Sequence, residues 1–300
     1  MDADDLRIVG AVARIGSMNR AAAELNMVQS NVTARIRLLE EELGVPLFIR
    51  HSRGVVPSEA GLRLLSYGEQ ILALFQQAII AVKEDGTPKG NLRIGMLETT
   101  AGLRLPTLIA QYARKYPKVD LAIMTGTTTS LIHQVAEREL DGAFVAGPIH
   151  HSELNEEPIF IEDLVIVSSL SVRSFNDLAA VENLKAIVLR QGCSYRPRLT
   201  SILDGLAIRY LVMEFASLDA IITSITAGVG ITLLPKALVD RLWPDQSVMV
   251  HELPADQAQV KTVFVRRHDH HPTSALNAFL RMSRQISNIV TFDRHLKAIV

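Results

Sequence analysis

Residues Gly16–Glu42, GSMNRAAAELNMVQSNVTARIRLLEEE, constrain the fold more than any other stretch of the chain. They read as two short helices around a tight turn, Asn19–Leu25 and Gln29–Glu42. The small triplet Ala21, Ala22, Ala23 lets two helix backbones approach closely, as a compact helix-turn-helix requires. On the second helix Val32, Ile36, Leu39 and Leu43 recur at helical spacing and predict a core-facing stripe. The opposite face carries Gln29, Ser30, Asn31, Thr33, Arg35 and Arg37, side chains that bond base edges and phosphates. The plain alternative is an amphipathic pair whose polar face is merely solvated. The flanking sequence decides between them.

Charge alone does not. The formal net charge is −1 over 300 residues, and residues 1–58 balance seven basic against seven acidic side chains. Placement is more telling than the sum. Most acids sit at the start of the first helix and the far end of the reading helix, while Arg20, Arg35, Arg37, Arg50 and Arg53 are placed to share one surface. Such bipolar placement permits phosphate contacts without a basic domain.

Upstream, Asp4–Ile15 reads as a helix with Leu6, Val9, Val12 and Ala13 inward and Gly16 as its stop. Downstream of Gly44, Leu47–Arg50 and Val55–Val56 read as two short strands around the turn His51–Gly54, a β-wing. Wing arginines Arg50 and Arg53 suit backbone contact beside a helix in the major groove. A long helix then runs from Ser58 and Glu59 to about Glu84. Leu65, Leu72 and Ile79 recur every seven residues with Gly68, Phe75 and Val82 between them, a coiled-coil seam. A second stripe of Leu64, Ile71, Leu74 and Ala78 runs alongside. A helix so apolar on two faces calls for a partner, and a homodimer supplies one with two-fold symmetry. The EDGTPKG linker at 84–90 separates this helix from the remainder of the chain.

From Asn91 strands and helices alternate, which predicts a mainly parallel α/β sheet. Strands are expected at 92–97, 121–125, 143–146, 164–168, 186–189, 209–215, 230–234, 248–253 and 262–266. Helices fit about 102–115, 129–140, 196–206, 217–227 and 274–288. The return of the chain after Val260 suggests two lobes joined by crossing strands, with a ligand in the cleft between them. The expected domains are 1–58, a linker helix and hinge at 59–90, and 91–300. Within the last, lobe I takes about 91–160 and 266–300, and lobe II about 161–265.

Taken together, AAAELN, Gln29, TARIRLLEEELGVPLFIR at 33–50, RGV at 53–55 and SEAG at 58–61 resemble the LysR-type transcriptional regulators. LDGAFV at 140–145 and AGVGITLLP at 227–235 are weaker echoes. The resemblance covers essentially the whole chain. It implies a winged helix-turn-helix, a dimerising linker helix and a periplasmic-binding-protein-like effector domain, assembled as a tetramer that bends its operator. The expected partners are double-stranded operator or promoter DNA, a second copy through the linker helix, a small-molecule co-inducer, and RNA polymerase. The sequence departs from the family's pattern at Val28 and Ser30, where serine and proline are frequent, so Asn26 or Ser30 is the expected cap of the reading helix.

The DNA-binding set is therefore Asn19, Arg20, Gln29, Ser30, Asn31, Thr33, Arg35, Arg37, Arg50 and Arg53, with Gln29 to Thr33 on bases and the arginines on phosphate. For the effector, Thr99 and Thr100 follow the first sheet strand, and Thr127 and Thr128 follow the second. Cys193, Ser194 and Arg196 hold the equivalent place in the second lobe. Hydroxyls and free N–H groups at helix starts favour an anion, so the expected ligand is a small anionic metabolite. Ordinary helix capping is the competing explanation.

An α/β enzyme with an accessory helical domain is the rival class. It requires a catalytic constellation, and no glycine-rich phosphate loop, nucleophile elbow or metal-ligand set is present. Neither a catalytic residue nor a resident cofactor is expected. The single cysteine, Cys193, excludes an internal disulfide and has no sequence-adjacent base. His268, His270 and His271 sit where a polar turn is expected rather than a metal, and His150 and His151 read as loop. The longest greasy run, Ile71–Val82, is interrupted by Gln76 and Gln77, and the start MDADDLRIVG is acidic. Both lead to the expectation of a cytoplasmic protein with no membrane partner.

Overall fold

The computed structural model describes residues 1–52 and 54–297, with no side-chain description for 104, 105 and 286–297. It divides into two compact units, Met1–Glu84 and Asp85–Val300.

The first unit is a winged helix-turn-helix with a long helix attached. Helix α1 (Ala3–Ile15) begins in a capping box: the Asp2 carboxylate accepts the Asp4 and Asp5 N–H groups, and Asp5 accepts the Asp2 N–H. It stops at Gly16, left-handed at φ 70°, where a Cβ would be strained. Helix α2 (Met18–Glu24) is capped by Ser17, whose hydroxyl accepts the Arg20 N–H. Ala21 and Ala22 are buried against the neighbouring helices, whereas Ala23 faces solvent.

Helix α3 (Gln29–Leu43) buries Val32, Ile36 and Leu39. Leu43, the fourth residue of the expected stripe, stays 39% exposed because Gly44 ends the helix before it reaches the core. Strands β1 (Phe48–His51) and β2 (Gly54–Pro57) form the wing, paired antiparallel with Ile49 opposite Val56. Glu40 on α3 holds the wing's root, one carboxylate oxygen accepting the Leu47 N–H at 2.7 Å and the Phe48 N–H at 3.1 Å.

Helix α4 (Glu59–Val82) is capped by Ser58. Its seam is divided. Gly68 lies against Leu6 of α1, and Leu65 packs on the core of the same unit. The far half remains uncovered, with Leu74, Phe75, Ile79, Ile80 and Val82 each more than 40% exposed. The heptad reading therefore merges two different jobs: the first turns dock the helix onto its own reading head, and the seam of the last turns stays uncovered.

The second unit starts with β3 (Gly90–Leu97), α5 (Glu98–Lys115), β4 (Val119–Gly126), α6 (Thr128–Ala136) and β5 (Gly142–Ala146). These strands are parallel, β3 lying between β4 and β5. The long strand β6 (Leu154–Ser168) crosses out of this layer. The next elements are α7 (Phe175–Ala180), β7 (Lys185–Leu189), α8 (Tyr195–Gly205), β8 (Leu211–Phe215) and α9 (Leu218–Thr226). The chain continues through β9 (Thr232–Pro235), α10 (Lys236–Leu242), β10 (Met249–Glu252) and α11 (Ala255–Ala258). Strand β11 (Gln259–Arg267) then runs back beside β6, and α12 (Ser274–Lys297) closes the unit.

The sheet order is β10-β6-β11-β5-β3-β4, with β9 also on β6, and β7 and β8 form a separate parallel pair. Two lobes share the crossing strands β6 and β11, which are antiparallel to each other. The expectation of a mainly parallel sheet thus holds within the lobes and fails at their junction. The first half of β6 and the helices α7, α10 and α11 are absent from the expected pattern. Residues 154–163, LNEEPIFIED, carry four acids, and strand pairing to β11 overrides their polarity. Thr262 to Val265 of β11 also pair with β5, so the expected change of lobe near 265 lies within a continuous strand.

In lobe I, Tyr112, Phe144, Phe264 and Phe279 form an aromatic core, and the Tyr112 hydroxyl donates to the Ala275 carbonyl at 2.8 Å. Among the described residues no helix is long and apolar enough to cross a membrane.

Candidate DNA interface and effector cleft

In the first unit the start of α3 is open. Val28 is its N-cap and offers no side-chain hydrogen bond. Neither Asn26, left-handed at φ 54°, nor Ser30 takes that role. The turn is closed by backbone bonds alone, with the Met27 N–H donating to the Ala22 carbonyl at 2.8 Å. Gln29, Ser30 and Asn31 are all exposed at this end, while Thr33 is half-buried. Asn19 and Arg20 are exposed at the start of α2.

The arginines separate into three states. Arg35 is held by α1: its Nε donates to Asp5 at 2.8 Å, and a terminal nitrogen donates to both Asp2 oxygens at 2.9 Å. The Asp2 carboxyl is kept below its usual range by the Asp5 N–H and then by this guanidinium. Arg37 bonds Glu41 one turn on, at 2.8 Å, with both side chains mostly exposed. Such an exposed pair contributes only about 0.3–0.5 kcal/mol and exchanges readily for phosphate. Arg20 and Arg50 make no side-chain ion pair among the described residues. Arg53 lies outside the described residues.

Two contacts fix the wing relative to the turn. The Val55 N–H donates to the Gly16 carbonyl at 3.0 Å, and a Cβ on Gly54 would come within 2.5 Å of that oxygen. Together with Glu40 they make helix and wing one rigid head. Glu40 was not legible as a site residue, since its partners lie beyond the helix it sits on.

In the second unit the predicted effector residues gather around the start of α8. Thr99, Cys193, Tyr195 and Arg196 line a cavity of about 20 Å³, roughly the room of one water molecule. A more open groove beside it is bounded by Thr128, Gly192, Cys193, Ser194 and Arg196. Cys193 and Arg196 belong to both. The loops meet directly: the Thr129 N–H donates to the Gly192 carbonyl at 3.4 Å, and a Cβ on Gly192, whose φ is +94°, would sit 2.7 Å from the Thr127 hydroxyl. Thr100, buried at 1% exposure, lines neither space.

The hydroxyls do not share one fate. Thr127 caps α6 by accepting the Ser130 N–H, as ordinary capping would have it. Thr99, Thr100, Thr128 and Ser194 each carry a buried hydroxyl oxygen without a hydrogen-bond partner. Thr99 lies beside the Tyr195 hydroxyl but outside hydrogen-bond geometry with it. Leu97 and Ser194, at the N-caps of α5 and α8, make no side-chain cap bond. Buried polar groups without partners are infrequent in native folds and mark places where a ligand or water belongs.

Arg196, expected as a counter-charge, is ion-paired with Glu214. Burial pushes the Cys193 thiol up, which keeps it protonated at neutral pH. Four residues at this site escaped sequence reasoning: Glu98, Glu162, Tyr195 and Thr262. The Glu98 carboxylate accepts the Leu218 N–H of α9 at 2.7 Å. The Tyr195 and Thr262 hydroxyls donate to Glu162, at 3.4 and 3.3 Å. Burial and then Glu162 hold the Tyr195 phenol far above its ordinary value, so it stays a donor.

In RHDHH the ion pairs belong to Arg267 and Asp269, and of its three histidines only His270 is buried. Arg267 binds Glu153 and Asp269, and Arg138 binds Asp269 at 2.6 Å. Among the described residues no cluster of three or more His, Cys, Asp or Glu could hold a metal. His270 is buried there, and His251 is buried on β10, where its Nε2 lies 2.8 Å from the Ser168 hydroxyl. Burial depresses both imidazoles below 6.5, against Asp177 at His251 and Asp141 at His270. Just below 6.5 the unfolded chain therefore holds more protons than the folded one, so stability rises with pH there and is lost on acidification. Urea midpoints of the full chain between about pH 7.5 and 5.5 should fall, and the His251→Gln, His270→Gln double variant should fall distinctly less. Equal slopes would show that these histidines do not govern the loss.

Comparison with known proteins agrees with this geometry. A family described as "Bacterial regulatory helix-turn-helix protein, lysR family" matches residues 3–62, and "LysR substrate binding domain" matches 85–287. YusT, an uncharacterized HTH-type transcriptional regulator of Bacillus subtilis (strain 168), is 42% identical over 281 residues, 93% of this chain and 94% of that protein. The HTH-type regulator GltR of the same organism is also 42% identical over 281 residues, covering 93% and 95%. Full-length OxyR from Pseudomonas aeruginosa superposes with a TM-score of 0.68 at 20% identity, covering 95% of this chain and 94% of that one. CbnR complexed with its target DNA gives 0.68 at 21% identity, covering 95% and 100%. At these identities the two structures speak for the fold.

Proposed function

The chain belongs to the LysR family of DNA-binding transcriptional regulators, and on that premise we propose that it reads operator DNA with the open end of α3 and is set by a small anionic metabolite in the cleft between α5, α6 and α8. Gln29, Ser30, Asn31 and Thr33 read bases, while Arg20, Arg37, Arg50 and Arg53, with Asn19, contact the backbone. Arg35 acts at the joint of α1 and α3, where Asp2 and Asp5 hold it. The uncovered last turns of α4 pair two copies into a homodimer, which places two reading heads on half-sites one helical turn or a multiple apart. Dimers pair further into tetramers, and the promoter-bound assembly meets RNA polymerase in the cytoplasm. The regulatory domain, residues 91–300, divides into two lobes joined by β6 and β11.

One observation carries the effector reading: hydroxyls of Thr99, Thr128 and Ser194, at the starts of α5, α6 and α8, are buried without partners. The positive ends of these helices stabilise a carboxylate there. Its binding would favour one arrangement of the two lobes over another and so change the spacing of the heads.

Gel retardation on the DNA upstream of the protein's own gene tests both halves. Specific retardation that weakens steeply with salt and shifts with a carboxylate metabolite supports the reading. Retardation that no carboxylate alters, with affinity unchanged in Ser194→Ala, would remove the effector half and leave the DNA half standing.

A further inference from the structure

Helix α5 packs in both lobes. Its second half is fixed in lobe I, where Leu108 and Tyr112 join the core around Phe144 and Phe279. Its first turns reach the other lobe. The Glu98 carboxylate accepts the N–H of Leu218, the first residue of α9, at 2.7 Å. Thr99 enters the cavity walled by Leu199 of α8 and Ile221 of α9. A Cβ on Gly102 would lie 3.8 Å from Leu238 of α10, and Leu103 packs on the core that Leu238 and Ile221 share. Between the two halves stands Pro106, exposed and inside the helix. It has no N–H for the Gly102 carbonyl, so the helical ladder lacks a bond where the segment on lobe II meets the segment in lobe I.

The contacts on lobe II do not all act in one direction. The charged hydrogen bond of Glu98 and the packing of Leu103 favour docking. The Thr99 hydroxyl opposes it: that residue is 2% exposed, and its oxygen has no protein partner. Undocking returns the oxygen to bulk water. A short segment held by one hydrogen bond and one apolar side chain, against a buried hydroxyl, has two positions of similar free energy.

We propose that Glu98–Leu103 is a latch between the two lobes, jointed at Pro106, whose release lets the regulatory domain pass from one arrangement to another. Glu98 is its positioning residue, and Thr99 is the counterweight that keeps it releasable. The inference goes beyond the effector reading, because the latch is built from the chain's own groups and stands whichever ligand the cleft takes.

Release is measured in the full chain, at fixed pH and without ligand, by amide exchange of residues 98–103 and by alkylation of Cys193 with iodoacetamide. Cys193 is the single cysteine and lines the cavity that Thr99 enters. Beyond burial, the Glu98 charge also raises its thiol. Glu98→Gln removes that charge and keeps an oxygen for the Leu218 N–H, so it is the reference for Glu98→Ala. Against it, Glu98→Ala should speed both reactions about fivefold, as loss of one hydrogen bond implies. Thr99→Val should slow both below wild type, and so should Pro106→Ala, which supplies the missing N–H. Equal rates in Glu98→Ala and Glu98→Gln overturn the latch. Exchange that rises equally in β5 and β11 also overturns it, since the whole domain would then be loosened. Thr99→Val no slower than wild type overturns the counterweight, and Pro106→Ala no slower overturns the joint.

Discussion

Gly61→Ala should abolish operator retardation. Gly61 lies in the first turn of α4, and a Cβ there would stand 2.1 Å from the Leu47 carbonyl oxygen and 3.4 Å from the Pro57 side chain. That carbonyl is not free to move, since it accepts the Ser58 N–H at 2.9 Å. The Ser58 hydroxyl donates to Pro46 at 2.7 Å and accepts the Gly61 N–H at 3.0 Å. A methyl group therefore drives α4 off the wing's root and dismantles its cap. The cost should reach about 3 kcal/mol, the upper end of ordinary overpacking. Urea unfolding followed by gel retardation reads both effects. Gly205→Ala is the control, since nothing lies within 4 Å of its added Cβ; it should change stability by no more than about 0.5–1 kcal/mol and leave retardation intact. Wild-type retardation by Gly61→Ala would mean that the joint between wing and α4 does not govern DNA binding.

Gln29→Ala should separate recognition from attraction. An amide paired bidentately with a base edge contributes about 1–3 kcal/mol of discrimination, roughly fivefold to 150-fold in affinity. Binding to the operator should weaken by that factor, binding to random DNA should not change, and the salt slope should stay the same. Arg37→Ala should do the reverse, weakening both DNAs and reducing the salt slope by about one. If Gln29→Ala weakened random and operator DNA equally, Gln29 would be a backbone contact and the base-reading face would lie elsewhere.

What could be read from the sequence divides along a physical line. Helix α3 and the wing were legible because apolar residues at fixed spacing must face a common core, whichever core it is. Val32, Ile36 and Leu39 needed no knowledge of their neighbours. Gly68 did. In a seven-residue repeat it reads as a seam position, and only the approach of Leu6 from α1 shows that it is a docking notch. The first half of β6 was missed for a related reason: its alternation is broken by acids whose acceptance depends on β11, about a hundred residues later.

The site divides the same way. Placing hydroxyls at helix starts was within reach of the pattern. Which of them cap and which are left without partners was not, because Thr127 and Thr128 differ by one residue in sequence and by everything in bonding. Glu40 and Glu98 were invisible as site residues. A carboxylate on a helix reads as solvated until the N–H groups of Leu47, Phe48 or Leu218 are seen to arrive. Arg35 is the converse: its own helix shows only a polar-face arginine, and the fold adds Asp2 and Asp5 beside it.

Arg35 has a consequence at the scale of the chromosome. A regulator is diluted by all the DNA it is not meant to bind, and that sink is set by phosphate contacts rather than bases. Every arginine held by carboxylates of its own domain is one fewer counterion released on random sequence. By holding Arg35 on α1 the head gives up affinity that its operator shares with every other site. Fewer copies are then needed to keep that operator occupied.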